Sequence, residues 1–151
     1  MQRIIVTGAT SMIGVALIEE CIKHGTEVYA VVREGSKKRS RLPESSLIKF
    51  ADCSLEHLDR LPEMIPQECD TFYHIAWGNT GENRNSSTEL QSRNIGYTLA
   101  AVKAAAALGC KRFIGAGSQA EYGLLDLDRI SPESAANPTT PYGAAKLASG
   151  Y

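Results

Sequence analysis

The sequence predicts an α/β protein built on a doubly wound parallel sheet, its strands in the order 3-2-1-4-5. Three observations predict it. Short apolar runs alternate with segments of helical period. The first of those runs, Ile4-Ile5-Val6, is continuous rather than alternating, as a strand buried on both faces requires. Right-handed crossovers between successive strands then give the order. The chain has 151 residues, a length that fits one domain, and its 43% apolar content suffices for a core.

Arg3–Thr7 reads as the first strand. Ile13–His24 reads as a helix, with Ile13, Ala16, Leu17 and Cys21 on one stripe and Gly25 stopping it. Glu27–Val32 is the second strand, followed by a polar, basic loop over Arg33–Leu42. Leu47–Phe50 is a short third strand, and Leu55–Leu61 a short helix that Ser54 could cap. Thr71–Ala76 is the fourth strand and Trp77–Ser86 a loop rich in Gly and Asn. Thr88–Leu108 is a long helix ended by Gly109, and Arg112–Ala116 is the fifth strand. Gly117–Thr140 reads as irregular. Pro141 then suits the first turn of a last helix, where its missing N–H is not needed.

Composition excludes several classes. The net charge is −1, and only Lys37-Lys38-Arg39 and Arg41 form a basic group, so no global field would grip nucleic acid or an anionic membrane. The apolar stretches are of strand length, and Met1–Val6 runs straight into a strand without the pattern of a signal peptide. The four cysteines, Cys21, Cys53, Cys69 and Cys110, stand far apart, and no Cys/His spacing suggests a metal. Reduced, mostly buried thiols in a cytoplasmic protein are expected.

Three local patterns carry chemistry. Between the first strand and its helix lies Gly8-Ala9-Thr10-Ser11-Met12-Ile13-Gly14. Backbone N–H groups there, with the helix dipole, would form a pyrophosphate site. Gly8 would permit the tight turn, Gly14 would let helix and strand pack closely, and the Ser11 hydroxyl could donate to a phosphate oxygen. Tyr142 and Lys146 stand at i and i+4 on the last helix, facing the same way. An ammonium beside a phenol favours the phenolate and makes it a usable acid/base. Ser118 follows the fifth strand, where a parallel sheet delivers residues to its ligand crevice, and could bond a reacting carbonyl or carbinol oxygen.

Taken together and in this order, these residues resemble the extended short-chain dehydrogenase/reductases, the NAD-dependent epimerase/dehydratase family, over nearly the whole chain. Val6-Thr7-Gly8 through Gly14 resembles the TGxxGxxG turn of its Rossmann part, with Ser11 in place of the middle glycine. Ala51-Asp52-Cys53 resembles the stretch whose Asp faces the adenine. Phe72-Tyr73-His74-Ile75-Ala76 is similar to the strand lining the cofactor, and Asn94-Ile95-Gly96-Tyr97-Thr98 to the "NVxGT" helix. Ser118 to Gly123 resembles "SxxxYG", and Pro141 to Lys146 "PYGxSK".

The resemblance implies Ser118, Tyr142 and Lys146 as catalytic residues. Tyr142 would move the hydroxyl proton, Lys146 would hold the nicotinamide ribose, and Ser118 would align the substrate oxygen. It implies Gly8, Thr10, Ser11, Met12, Ile13, Gly14, Asp52, Cys53, Ile75, Ala76 and Asn94 as cofactor-binding, and the end of the second strand adds Arg33. The expected cofactor is NADP, with NAD as the alternative, because Arg33 ends the second strand where a carboxylate would select NAD; Glu34 is the counter-argument. A nucleotide-sugar substrate is implied. Gln119 and Ala120 stand where family dehydratases carry acids, which leaves a 4-epimerase or a keto-sugar reductase. A non-catalytic NAD(P)-binding module or redox-sensing regulator is the alternative. Family members continue with a sixth strand and a substrate-binding portion, so the chain is expected to be truncated before that strand and to turn over little by itself. A homodimer is expected, and the fifth strand, left as an apolar edge, implies poor solubility or pairing through the Thr88–Leu108 and Pro141–Tyr151 helices.

Overall fold

The computed structural model describes residues 1–125 and 128–150. Asp126 and Leu127, within the segment expected to be irregular, and Tyr151, expected to close the last helix, lie outside them. The chain divides into two compact units, Met1–Ala76 with Ala100–Ala116, and Trp77–Leu99 with Gly117–Tyr151.

The first unit holds a five-stranded sheet: β1 (Arg3–Thr7), β2 (Glu27–Val32), β3 (Ile48–Asp52), β4 (Thr71–His74) and β5 (Arg112–Gly115). All its pairings are parallel and the order is β3-β2-β1-β4-β5, as expected. Side chains alternate between two cores, as the pleat demands. Ile5, Tyr29, Val31 and Phe72 pack with Leu58, Leu61, Ile65 and the C-terminal part of a long helix, α3 (Thr88–Ala107), through Ala101, Ala104 and Ala105. Ile4, Val6, Val28 and Ala30 pack with Ile18 of α1 (Met12–Lys23). Burying each large aliphatic of β1 contributes about 1.5–3 kcal/mol, so this continuous apolar run anchors both layers.

Several boundaries differ from expectation. The helical stripe is displaced: Ile13 and Ala16 are exposed, and α1 buries Gly14 and Ile18, with Val15, Leu17, Cys21 and Ile22 flanking them. The close approach at Gly14 turns that face inward. β3 runs two residues beyond Phe50, because Ala51 and Asp52 continue the ladder to Val31 and Val32. β4 ends at His74 rather than Ala76, since the Ile75 and Ala76 N–H groups turn to the carbonyl and hydroxyl of Thr7, each at 3.3 Å. β5 ends at Gly115, one residue early. The basic loop contains a 3₁₀ turn, Lys37–Arg41, that Ser36 caps. Leu55–Arg60 is 3₁₀ and passes into α2 (Leu61–Met64), with no cap bond from Ser54; Pro62 falls in the first turn of α2.

In the second unit, the N-terminal part of α3 follows a 3₁₀ turn at Glu82–Asn85. A second such turn, Gln119–Glu121, packs on α4 (Pro141–Gly150). Pro141 opens α4 as expected, and the Thr140 hydroxyl accepts from the Gly143 N–H at 3.1 Å. A Cβ at Gly143 would lie 2.2 Å from the Ala120 carbonyl, so glycine sets how closely helix and turn approach. Among the described residues no helix is long and apolar enough to cross a membrane, and no group of His, Cys, Asp and Glu could hold a metal.

Candidate functional site

In the first unit the Gly8–Gly14 turn has the geometry its sequence requires. Gly8 sits at φ +70°, and a Cβ there would lie 2.7 Å from the Ala76 nitrogen; one at Gly14 would lie 2.3 Å from the Gly8 carbonyl oxygen. Ser11 caps α1, its hydroxyl oxygen accepting from the Gly14 N–H at 3.0 Å, which leaves its proton free to donate outward. The Ser11 N–H bonds Gly8 and the Val15 N–H bonds Ser11. Met12 and Ile13, both exposed, donate no backbone bond among the described residues. Those two N–H groups at the positive end of a twelve-residue helix fit a phosphate anion. Thr10 is half-buried beside them.

The other expected cofactor residues of this unit are placed variously. Arg33 is exposed at the end of β2, and its side chain makes no hydrogen bond or ion pair among the described residues. Asp52 ends β3 and pairs with Arg39, whose guanidinium lies 4.8 Å from the Phe50 ring centroid. Cys53 is buried, its Sγ donating to the carbonyls of Ser54 and His57 at 3.4 and 3.2 Å, and burial pushes its thiol pKa up. Cys69 is pushed further, to about 12, by burial and then by Cys110. All four thiols are free. Ile75 and Ala76 follow β4. Beside them the Thr7 hydroxyl and the buried His74 Nδ1 stand 2.9 Å apart, a stitch between β1 and β4 that no local pattern announces.

The second unit holds the remaining candidates. Ser118 begins a capping box: its oxygen accepts from the Ala120 N–H at 3.2 Å, while its own N–H donates to the Glu121 carboxylate at 2.6 Å. The Ser-x-x-Glu spacing that produces this box was readable in the sequence. Ser118 and Tyr142 line one pocket of about 230 Å³, together with Arg84, Asn85, Thr139 and Thr140. Lys146, one turn along α4, is buried, its Nζ 3.7 Å from the Trp77 ring centroid. Burial lowers its pKa to about 8, against the opposing pull of Glu121. Trp77 meets Tyr142 edge-on at 5.9 Å, and the Arg84 guanidinium lies over the Tyr142 ring at 4.9 Å.

Asn94 is also in this unit, buried on α3 with its amide already bonded. Its oxygen accepts from the Gly78 N–H at 2.7 Å, and its nitrogen donates to the Gly78 carbonyl at 3.2 Å. Gln91 does the same one turn earlier, accepting from the Trp77 indole at 2.9 Å and donating to the Asn79 carbonyl at 2.8 Å. Two amides of α3 therefore hold the backbone and indole of Trp77–Asn79 in place. Trp77, Arg84, Gln91 and Glu121 were not singled out as functional from the sequence. Only Glu121 carried a local signal; the other three act through contacts between distant segments.

A glycine turn at the head of α1, on a parallel sheet of order 3-2-1-4-5, defines a dinucleotide-binding α/β protein of Rossmann type. The model of the NAD dependent epimerase/dehydratase family matches residues 4–150, and the chain belongs to that family. It is 28% identical over 145 residues to dTDP-6-deoxy-L-talose 4-dehydrogenase (NAD(+)) of Aggregatibacter actinomycetemcomitans, covering 96% of this chain and 52% of that protein. It is 25% identical to UDP-glucose 4-epimerase of Streptomyces lividans, over 95% of this chain and 44% of that one. The chain thus spans about half the length of these curated relatives. The crystal structure of Thermus thermophilus UDP-glucose 4-epimerase in complex with NAD superposes with a TM-score of 0.83 at 22% identity, over 99% of this chain and 49% of that one. That likeness concerns the fold.

Proposed function

We propose that the chain is the cofactor-binding part of an enzyme that moves a hydride at C4 of a nucleotide sugar, as a 4-epimerase or a 4-keto-sugar reductase. The observation that carries this reading is the convergence of Ser118 and Tyr142 on one pocket. Gly8, Thr10, Ser11, Met12, Ile13 and Gly14 would hold the pyrophosphate, and the nicotinamide, once bound, supplies the hydride chemistry. Tyr142 exchanges the proton of the reacting hydroxyl. Ser118, fixed by its capping box, donates to the same oxygen. Lys146 keeps its charge at neutral pH and serves the nicotinamide ribose. Asn94 acts by holding Gly78 rather than by touching the cofactor. Glu121 is bound to the Ser118 N–H and so is not a free acid for water elimination, which supports epimerase or reductase over dehydratase. The two curated relatives act, by their names, at position 4 of nucleotide sugars, and the protein is proposed to work as a homodimer.

The relatives and structures that name a cofactor name NAD. The observation favouring NADP is Arg33, exposed after β2 and uncommitted to any described residue, where it could grip a 2′-phosphate bidentately. Calorimetric titration of both cofactors separates the two. NADP specificity requires that Arg33→Ala weaken NADP alone; equal binding of both, unchanged by that substitution, refutes it, and tighter NAD binding establishes NAD.

The reaction is tested with NAD(P) and UDP-glucose, UDP-galactose or a dTDP-hexose, following nicotinamide absorbance and sugar products. The chain is compared with any longer product of its reading frame. Little turnover is expected from the chain by itself. In the active form Tyr142→Phe should lower kcat by about 10²–10⁴ while leaving cofactor affinity intact. Cofactor binding by the longer product with no reaction on any nucleotide sugar would instead establish a non-catalytic module.

A further inference from the structure

We propose that Arg84 makes the pocket selective for a nucleotide sugar with a carboxylate on the reacting ring, a nucleotide uronate, over its neutral counterpart. This rests on the nucleotide-sugar reading above and deepens it. Arg84 comes from the Glu82–Asn85 turn, and it is the one charged side chain among the described residues lining the pocket. Its guanidinium lies over the Tyr142 ring at 4.9 Å and makes no hydrogen bond or ion pair with any described residue. The candidate acid on the facing turn, Glu121, is bonded to the Ser118 N–H. Ring contact restrains the guanidinium plane while the N–H donors on its edge stay available, the geometry that suits an oxyanion. Asn85, Ser118 and Thr140 complete a wall of uncharged polar groups.

Two anions occur in a nucleotide sugar, the diphosphate and a ring carboxylate. The diphosphate hangs from C1, across the ring from C4, whereas a C5 carboxylate adjoins C4. Ser118 and Tyr142 mark where the C4 oxygen must lie, and Arg84 touches Tyr142, so it reaches the C5 substituent before the diphosphate. A pocket of about 230 Å³ also matches a single sugar ring better than a whole nucleotide sugar.

Trp77, the single tryptophan, stands 5.9 Å from Tyr142 and reports on this pocket. The chain, saturated with NAD, is titrated with UDP-glucuronate, UDP-glucose and UDP while Trp77 fluorescence and heat are recorded. UDP-glucuronate is expected to bind about tenfold more tightly than UDP-glucose, the gain of one charge-assisted contact. Arg84→Gln should erase the difference and Arg84→Lys should keep part of it. Equal affinity for the uronate and the neutral sugar overturns the proposal and leaves the nucleotide-sugar reading standing. If Arg84→Gln weakens all three compounds alike, Arg84 meets the diphosphate and the proposal is equally overturned. If none of the three binds to the chain or to a longer product of its reading frame, both readings fall together.

Discussion

Replacing Lys146 with Met should stabilise the protein at neutral pH and remove the contribution of Lys146 to stability, which grows in mild alkali. Lys146 is only 6% exposed, and burial draws its pKa from the ordinary 10.5 down to about 8. Below pH 8 both folded and unfolded chains carry the proton, and the cost of burying the charge is fully felt. Between the two values the unfolded chain keeps the proton and the folded one has released it, so stability climbs with pH. The gap corresponds to about 3 kcal/mol. The Trp77 face, 3.7 Å from the ammonium, favours the charged form by about 1 kcal/mol, which leaves a rise of about 2 kcal/mol. Cys69 works the other way: its thiol stays protonated in the fold to about pH 12, so stability falls as pH passes the ordinary thiol value of 9. Subtracting the variant's curve cancels that contribution, since Lys146→Met is close to volume-conserving. Urea unfolding of both proteins from pH 7 to 10 measures the difference. Parallel curves throughout would refute the reasoning, because they would mean that Lys146 pays no more for its charge when folded than when unfolded.

Gly14→Ala should cost about 2–4 kcal/mol, as overpacking does when backbone must move, and should abolish cofactor binding, because the new Cβ would meet the Gly8 carbonyl at 2.3 Å; thermal melts and calorimetry check both. Asn94→Ala should cost about 1–3 kcal/mol by leaving the Gly78 N–H and carbonyl without their partner, and should increase Trp77 mobility, read as fluorescence anisotropy. In the native state Cys69 should react with iodoacetamide at neutral pH at least tenfold more slowly than in urea, its thiolate suppressed by burial.

The sheet was legible because its strands are local and strongly patterned: Ile4-Ile5-Val6 and Val28 to Val32 bury every residue, so no competing period blurs them. The Gly8–Gly14 turn was legible for the same reason, each glycine meeting a steric demand within its own loop. The stripe of α1 was legible in its second half, where Leu17 and Cys21 pack on the core, but not in its first, since Gly14 carries no hydrophobic signal yet forms the point of closest contact. The motif marks Asn94 as a cofactor position, whereas the bonding of its amide to Gly78 is visible only in the fold. Trp77 and Arg84 reach Tyr142 across more than fifty positions of sequence, and no spacing rule connects residues so far apart. Asp52 reads as an isolated carboxylate until the 3₁₀ turn at Lys37–Arg41 swings Arg39 onto it.

The strand order also governs how the chain comes together during synthesis. β1 is central, pairing with β2 on one side and β4 on the other, and its Thr7 awaits His74, 67 residues further on. At roughly 5–20 residues per second on the ribosome, one edge of this apolar strand stays uncovered for several seconds after β2 has docked. Slow, non-local pairing of this kind favours aggregation over folding when the nascent chain is crowded. Lower growth temperature or a chaperone that shields extended apolar segments should therefore raise the soluble yield more than any change made to the finished surface.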